Sequence, residues 1–343
     1  MKRFDPMKNN SRTLPGAALA LTKDLTDGGI TLVLGSGVSI SWGAPSWQVL
    51  VDRVLKCAGI NQKELHTAHP PLLLEMAYRK LKQRRFVQIL RREITAGAAP
   101  ITYESLTESE KTLAVIARVV ADDYKLVTSR KLLRLITFNA DDFMERSILT
   151  ILGQDVQARI PVVKIISRAS HHPAHGWYDR AIPIYHLHGY LPSLGSTMWH
   201  EEAADTLVFT DYQYWASGSQ PASYANRVML NALHDSHCVF IGMSMTDPNI
   251  LRWTATMALE VEADKREQFK SRSSQNYSEV NNSIRKALRR HYWIRAENDS
   301  SSADFEKLLL SRGVLTVKIK SWEDGSLSKL LAGSFLSGSS VAV

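Results

Sequence analysis

Two cysteines, Cys57 and Cys238, lie far apart in the 343 residues of this chain. That count excludes a disulfide framework and a four-cysteine zinc site, so the fold must stand on packing alone. No apolar run approaches the ~20 residues that a membrane-spanning helix requires. The basic N-terminus Met1-Lys2-Arg3-Phe4-Asp5-Pro6 is not followed by the apolar block of a secretory signal. The expectation is a cytoplasmic protein with no membrane role. Acid is missing from residues 79–92, which hold seven Lys or Arg, and is scarce in 265–295, where nine Lys or Arg stand against two Glu. These two stretches carry the excess behind a net charge of +8. They read equally well as solvated faces and as surfaces for nucleic acid, a nucleotide or an acidic partner. No motif of a known nucleic-acid module accompanies them.

What is present is an ordinary globular composition, 44% hydrophobic and 22% charged, in a chain long enough for one large core with an insertion. The stretch from Gly29 to Gly43 organises the rest. Ile30 to Leu34 reads as a buried parallel strand that runs straight into Gly35-Ser36-Gly37. Glycines there can adopt positive φ and bring backbone N–H groups close to an anion, with the positive end of a following helix behind them. Alone, the same stretch is an ordinary turn. No third Gly follows at the spacing of the dinucleotide fingerprint, which weakens a dehydrogenase reading.

Residues 1–15 read as a flexible arm, 16–332 as the folded domain and 333–343 as a flexible tail. Gly16–Asp27 has helical spacing. A second helix opens with Ser46 as N-cap and ends near Gly59. From about 62 to 123 nothing reads as a strand, and Leu72–Ile94 and Ser109–Ala121 are helical, which predicts a helical insertion. Strands are expected at Leu132–Phe138, Ile160–Ile166, Ile182–Gly189, Thr206–Phe209, His291–Arg295 and Val314–Ile319, and Cys238–Ser244 reads as a strand followed by a turn. Helices are expected at Ser223–Leu233 and Ser302–Leu310, with Asp247-Pro248 opening another, and Gln268–Asn282 reads as a surface loop. Strand, small-residue turn and helix recur at Gly35, Asn139 and Gly242. That alternation predicts an α/β fold: a Rossmann-like parallel sheet with helices on both faces and ligand loops at its carboxyl edge. Three His in 170–175 invite a metal, but Pro173 and the lack of a nearby carboxylate or Cys favour a loop. On a strand, His186 and His188 would share one face. A metal pair is then conceivable, and one His facing a ligand is the simpler reading.

Taken together, Gly35-Ser36-Gly37-Val38-Ser39, Thr137-Phe138-Asn139-Ala140-Asp141, His186-Leu187-His188-Gly189 and Gly242-Met243-Ser244 resemble the sirtuin superfamily in order and context. The resemblance implies NAD as substrate. It places Gly35, Ser36 and Gly37 at the pyrophosphate, Asn139 and His188 at the reacting ribose as catalytic residues, Asp141 nearby, and Gly242 and Ser244 on the adenosine side. Two departures matter. Deacylating sirtuins carry paired cysteines of a zinc ribbon after the His-Gly motif, whereas Tyr190 to Phe240 holds Cys238 alone, so no zinc or other metal is expected. Their Gly-Ile-Pro-Asp-Phe-Arg run is replaced by Gly43-Ala44-Pro45-Ser46-Trp47-Gln48. The chain resembles more the zinc-free sirtuin-like domains of bacterial antiviral defence, which hydrolyse NAD and stop growth of the infected cell. That resemblance implies a homo-oligomer, a trigger supplied from outside, and a partner such as a HerA-type ATPase or a short Argonaute, with indirect nucleic-acid association. The rival readings are an NAD-dependent protein deacylase, a non-catalytic NAD or ADP-ribose sensor or scaffold, and nucleic-acid binding as the main activity.

Overall fold

A computed structural model describes residues 15–61, 69–126, 129–153, 162–168, 180–194, 206–270, 277–288 and 291–336. The His-rich run at 170–175 and residues 1–14 lie outside them. The chain opens with α1 (Pro15–Asp27), β1 (Ile30–Leu34), the short α2 (Ser36–Ile40), α3 (Trp47–Ala58), α4 (Pro70–Thr95), α5 (Tyr103–Thr107) and α6 (Thr112–Lys125). It continues through β2 (Leu132–Thr137), α7 (Phe143–Ile151), β3 (Val163–Ile166), β4 (Ile182–His186), α8 (Asp211–Ser219), α9 (Tyr224–Asp235) and β5 (His237–Ile241). The last elements are α10 (Pro248–Lys270), α11 (Tyr277–Ala287), β6 (His291–Ala296), α12 (Ala303–Ser311), β7 (Val314–Ile319) and α13 (Ser326–Leu336).

The seven strands form one sheet in the order β3-β4-β2-β1-β5-β6-β7, and every pairing is parallel. Because parallel strands are joined by crossovers that cover both faces, the strands carry apolar side chains on both. Leu32 and Leu34 of β1, Val239 and Ile241 of β5, and Tyr292 and Ile294 of β6 pack with α1, α6, α7 and α13. Their neighbours in sequence, Val33, Cys238, Phe240 and Trp293, point the other way into α9, α10 and α12. The expected Rossmann-type α/β architecture is therefore what the chain forms.

Local signals fix several boundaries. The Ser46 hydroxyl accepts from the Val49 N–H at the start of α3, and Gly59 closes that helix. Ser302 caps α12 in the same way through Phe305. Other expectations are corrected. Within 62–123, α4 packs with α3 in a separate cluster that includes Ala140, Leu191, Leu207 and Phe209. By contrast, α6 belongs to the core under the sheet. Thr206–Phe209 forms no strand: it is tied to the fold by Val208 N–H donating to the His188 carbonyl at 3.0 Å, with Leu207 and Phe209 buried against α3 and α4. Part of Gln268–Asn282, read as a loop, is helical, because α10 runs to Lys270 and α11 starts at Tyr277. Val280 and Ile284, one helical turn apart, supply the buried face of α11. At the end of the chain α13 continues to Leu336, past the expected start of the tail.

Candidate functional site

The strand order reverses at β1, which has β2 on one side and β5 on the other. Chain segments leaving neighbouring strands at such a point turn away from each other and open a crevice at the carboxyl edge. The turns after β1, β2, β4 and β5 all reach this edge, and the motif residues sit on them.

The turns after β1 and β5 are pressed together. Gly35 N–H donates to the Ile241 carbonyl at 2.9 Å and Gly37 N–H to the Gly242 carbonyl at 2.8 Å. A Cβ on Gly35 would stand 2.5 Å from the Gly242 carbonyl oxygen, and one on Gly37 would stand 2.9 Å from Gly242 Cα. These glycines therefore serve close approach, not unusual dihedrals: Gly35 has φ −102°. The positive φ expected there is found across the contact, at Gly242 with φ 70°. Ser36 begins α2 directly behind this contact. Ser244 is exposed, and its hydroxyl pairs with that of Thr246 at 2.7 Å.

Asn139 follows β2. Its Nδ2 donates to the Gly35 carbonyl at 2.9 Å and to Ser39 Oγ at 2.9 Å. A carbonyl can only accept, so the amide orientation is fixed and both amide hydrogens are used. Oδ1 is the atom of Asn139 that remains to accept a hydrogen from a ligand. Ser39 in turn hydrogen-bonds the Asp141 carboxylate, which also accepts from Phe143 N–H at 3.2 Å. Asp141 is buried behind Ser39, so its link to the crevice runs through that hydroxyl. Burial pushes its carboxyl up to about 6, against the opposing pull of the two hydrogen bonds.

β4 ends at His186, so His188 lies in the turn beyond it. The two imidazoles therefore do not share a strand face, and the metal-pair reading fails on geometry. His186 is buried between the Asn139 carbonyl and Glu145. His188 keeps part of its surface accessible and packs edge-on against Phe138, ring centroids 5.1 Å apart, with Tyr214 at 6.2 Å. Desolvation by this surround lowers the His188 pKa, and the Asp247 carboxylate partly offsets the shift. At neutral pH the ring is a neutral base.

Asp247 is a junction. Its Oδ1 accepts from Asn249 N–H at 2.7 Å at the start of α10, and its Oδ2 accepts from the Tyr214 hydroxyl at 2.7 Å. Tyr214 and Glu145 were not singled out by sequence reasoning, which had Ser39 only as the end of the first motif and His186 only as one half of a conceivable metal pair. Asp247 was visible as a helix cap, but its place beside His188 was not. Only tertiary proximity reveals these roles, since β2, β4 and α8 are remote in sequence from β1. Among the described residues, no group of three His, Cys, Asp or Glu side chains could hold a metal ion, and no helix is long and apolar enough to cross a membrane.

A family model described as SIR2-like domain matches residues 133–317. One solved structure, described as "Structural Basis for the Mechanism and Regulation of Sir2 Enzymes", shares 11% identity, covering 93% of this chain and 96% of that one with a TM-score of 0.43. Another, a Sir2 homolog–NAD complex, shares 11% identity over 92% of this chain and 93% of that one, with a TM-score of 0.39. No curated protein matches the chain.

Proposed function

Since the chain belongs to the SIR2-like domain family, whose model spans more than half of it, we propose that it is an NAD+ hydrolase that cleaves the nicotinamide–ribose bond. The family implies an NAD-dependent enzyme, a deacylase or an NADase. The observation that supports the hydrolase reading is that Asn139 and His188 follow adjacent parallel strands, β2 and β4: the first offers a fixed amide whose remaining atom is an acceptor, the second a neutral, partly accessible imidazole.

Loss of nicotinamide develops positive charge on the ribose ring, as in glycoside cleavage. Nicotinamide departs with the electron pair of the C–N bond and becomes neutral, water adds its oxygen to the ribose carbon, and His188 takes the proton released. Asn139 Oδ1 orients the water or a ribose hydroxyl by accepting its hydrogen. The Asp247 carboxylate near His188 sets negative charge in the crevice where positive charge develops. Seven Lys or Arg in 79–92, Lys82, Arg84 and Arg85 among them exposed on α4, supply a surface for an activating partner. We place the activity in antiviral defence, with the protein acting as an oligomer or with a partner that releases it.

The test is nicotinamide release by the purified protein with NAD, alone and with the product of a neighbouring gene. Release abolished by both Asn139→Ala and His188→Ala supports the reading. Release that survives either substitution sinks the role assignment, and acyl-peptide consumption in step with NAD loss would move the protein to the deacylases. A monomer fully active alone would overturn the partner and oligomer proposal.

A further inference from the structure

Behind the Asn139 turn lies a buried polar cluster centred on His186. His186 Nδ1 is 2.9 Å from the Asn139 carbonyl oxygen, and its Nε2 is 2.6 Å from Glu145 Oε1. The side chains of both residues are almost wholly shielded from solvent, 1% and 0% exposed. A carbonyl can only accept, so Nδ1 carries a hydrogen, and the short contact on the other side has the length of a charge-assisted bond. Around the imidazole stand other titratable groups. Asp141 and Asp142 are on the same turn as Asn139, and the Tyr190 ring packs 4.8 Å away on the chain leaving β4. Arg146, on α7 with Glu145, lies 3.9 Å from Asp142. Three buried acids gather here, and a protonated imidazole would set positive charge among them. Burial lowers the imidazole pKa, but the Glu145 carboxylate and then the Asn139 carbonyl outweigh it, leaving it raised.

We propose that His186 and Glu145 are positioning residues for Asn139: an imidazolium bridge holds its backbone carbonyl from behind while Gly35 and Ser39 hold its amide in front. The proposal rests on the reading of Asn139 as the acceptor in NAD cleavage. Its logic is that a side chain held at both ends has one aim. Buried ion pairs contribute little net stability, but they define one geometry and are costly to break on one side. Because the bridge spans β4 and α7, it also ties the turn that bears Asn139 to the strand that leads to His188.

The test uses double variants, so that no buried charge is left alone. His186→Leu with Glu145→Gln removes the donor to the Asn139 carbonyl. His186→Asn with Glu145→Gln keeps a donor near the place of Nδ1. The Leu variant is expected to lose about 100-fold in kcat, the loss that small misplacements cause, with KM for NAD changed less than about threefold. The Asn variant is expected to recover at least about tenfold. Equal kcat in the two variants, whether low or at the wild-type level, overturns the positioning role. A second readout does not depend on activity. Histidine-selective 15N NMR of the wild-type protein should show His186 with both ring nitrogens protonated at pH 6, and a neutral ring there overturns the bridge. A wild-type protein that shows the doubly protonated ring yet releases no nicotinamide either alone or with the product of the neighbouring gene would refute the hydrolase reading, and with it the catalytic purpose of the bridge, while leaving the bridge itself established.

Discussion

Replacing Gly242 by alanine tests the contact on which the crevice is built. The new Cβ would lie 2.7 Å from the Val38 backbone nitrogen, 2.9 Å from Val38 Cγ2 and 3.1 Å from the Gly37 carbonyl carbon. Two of these are main-chain atoms and cannot swing aside. The left-handed φ of 70° costs an alanine about 1–2 kcal/mol, and forcing a methyl into packed surroundings adds about 1–3 kcal/mol. The sum is roughly 2–5 kcal/mol, and for a chain of this length it lowers Tm by roughly 3–7 °C. Gly153→Ala is the control, since that residue has φ 62° and nothing within 4 Å of the added Cβ. It bears the dihedral cost alone, about 1–2 kcal/mol, or roughly 1–3 °C. Both variants are melted by scanning calorimetry and titrated with NAD calorimetrically. Gly242→Ala should melt lower than the control and bind NAD more weakly. If the two melt within a degree of each other and bind alike, the β1 and β5 turns are not in the contact described.

Asp141→Asn should alter how stability depends on pH. Its folded pKa of about 6 lies above the ordinary 3.8, so the folded state binds the extra proton. The stabilisation is full below pH 4 and is lost as pH rises through 6, amounting to about 3 kcal/mol. The wild-type Tm should therefore fall more than that of Asp141→Asn between pH 4 and 7, and parallel curves would refute the assignment. Asp247→Asn keeps a capping oxygen for α10 but removes the charge that raises the His188 pKa. The acid limb of the kcat/KM profile for NAD cleavage should move to lower pH, and a limb that stays or rises would separate Asp247 from His188.

Legibility in the sequence followed the range of the interaction. Ser46 and Gly59 bound α3 through contacts within three or four residues, so their types announced it. β1 was legible because a central parallel strand is apolar on every residue, and all five are buried. The glycines of the first turn were legible as necessary but not for the right reason, since the neighbour that excludes a side chain, Gly242, comes from β5. The alternation of His186 and His188 misled because the strand ends between them, after which the chain turns. α11 was missed because its surface is polar and two positions, Val280 and Ile284, carry its packing. Tyr214 had no local signature at all. Its role comes from Asp247, on the far side of α9 and β5.

The close approach of Gly35 to Gly242 joins points about two hundred residues apart in the chain. Parallel pairing of β1 with β5 closes a loop of that size, and contacts of such long range form slowly. As the chain leaves the ribosome, β1 emerges long before β5, while Asn139 and His188 already follow their own strands. The crevice nevertheless lacks one wall until β5 is made and docked. A nascent or truncated chain thus carries Asn139 and His188 without the β5 turn that completes the crevice, and under the proposed hydrolase reading it would stay inactive until β5 docks.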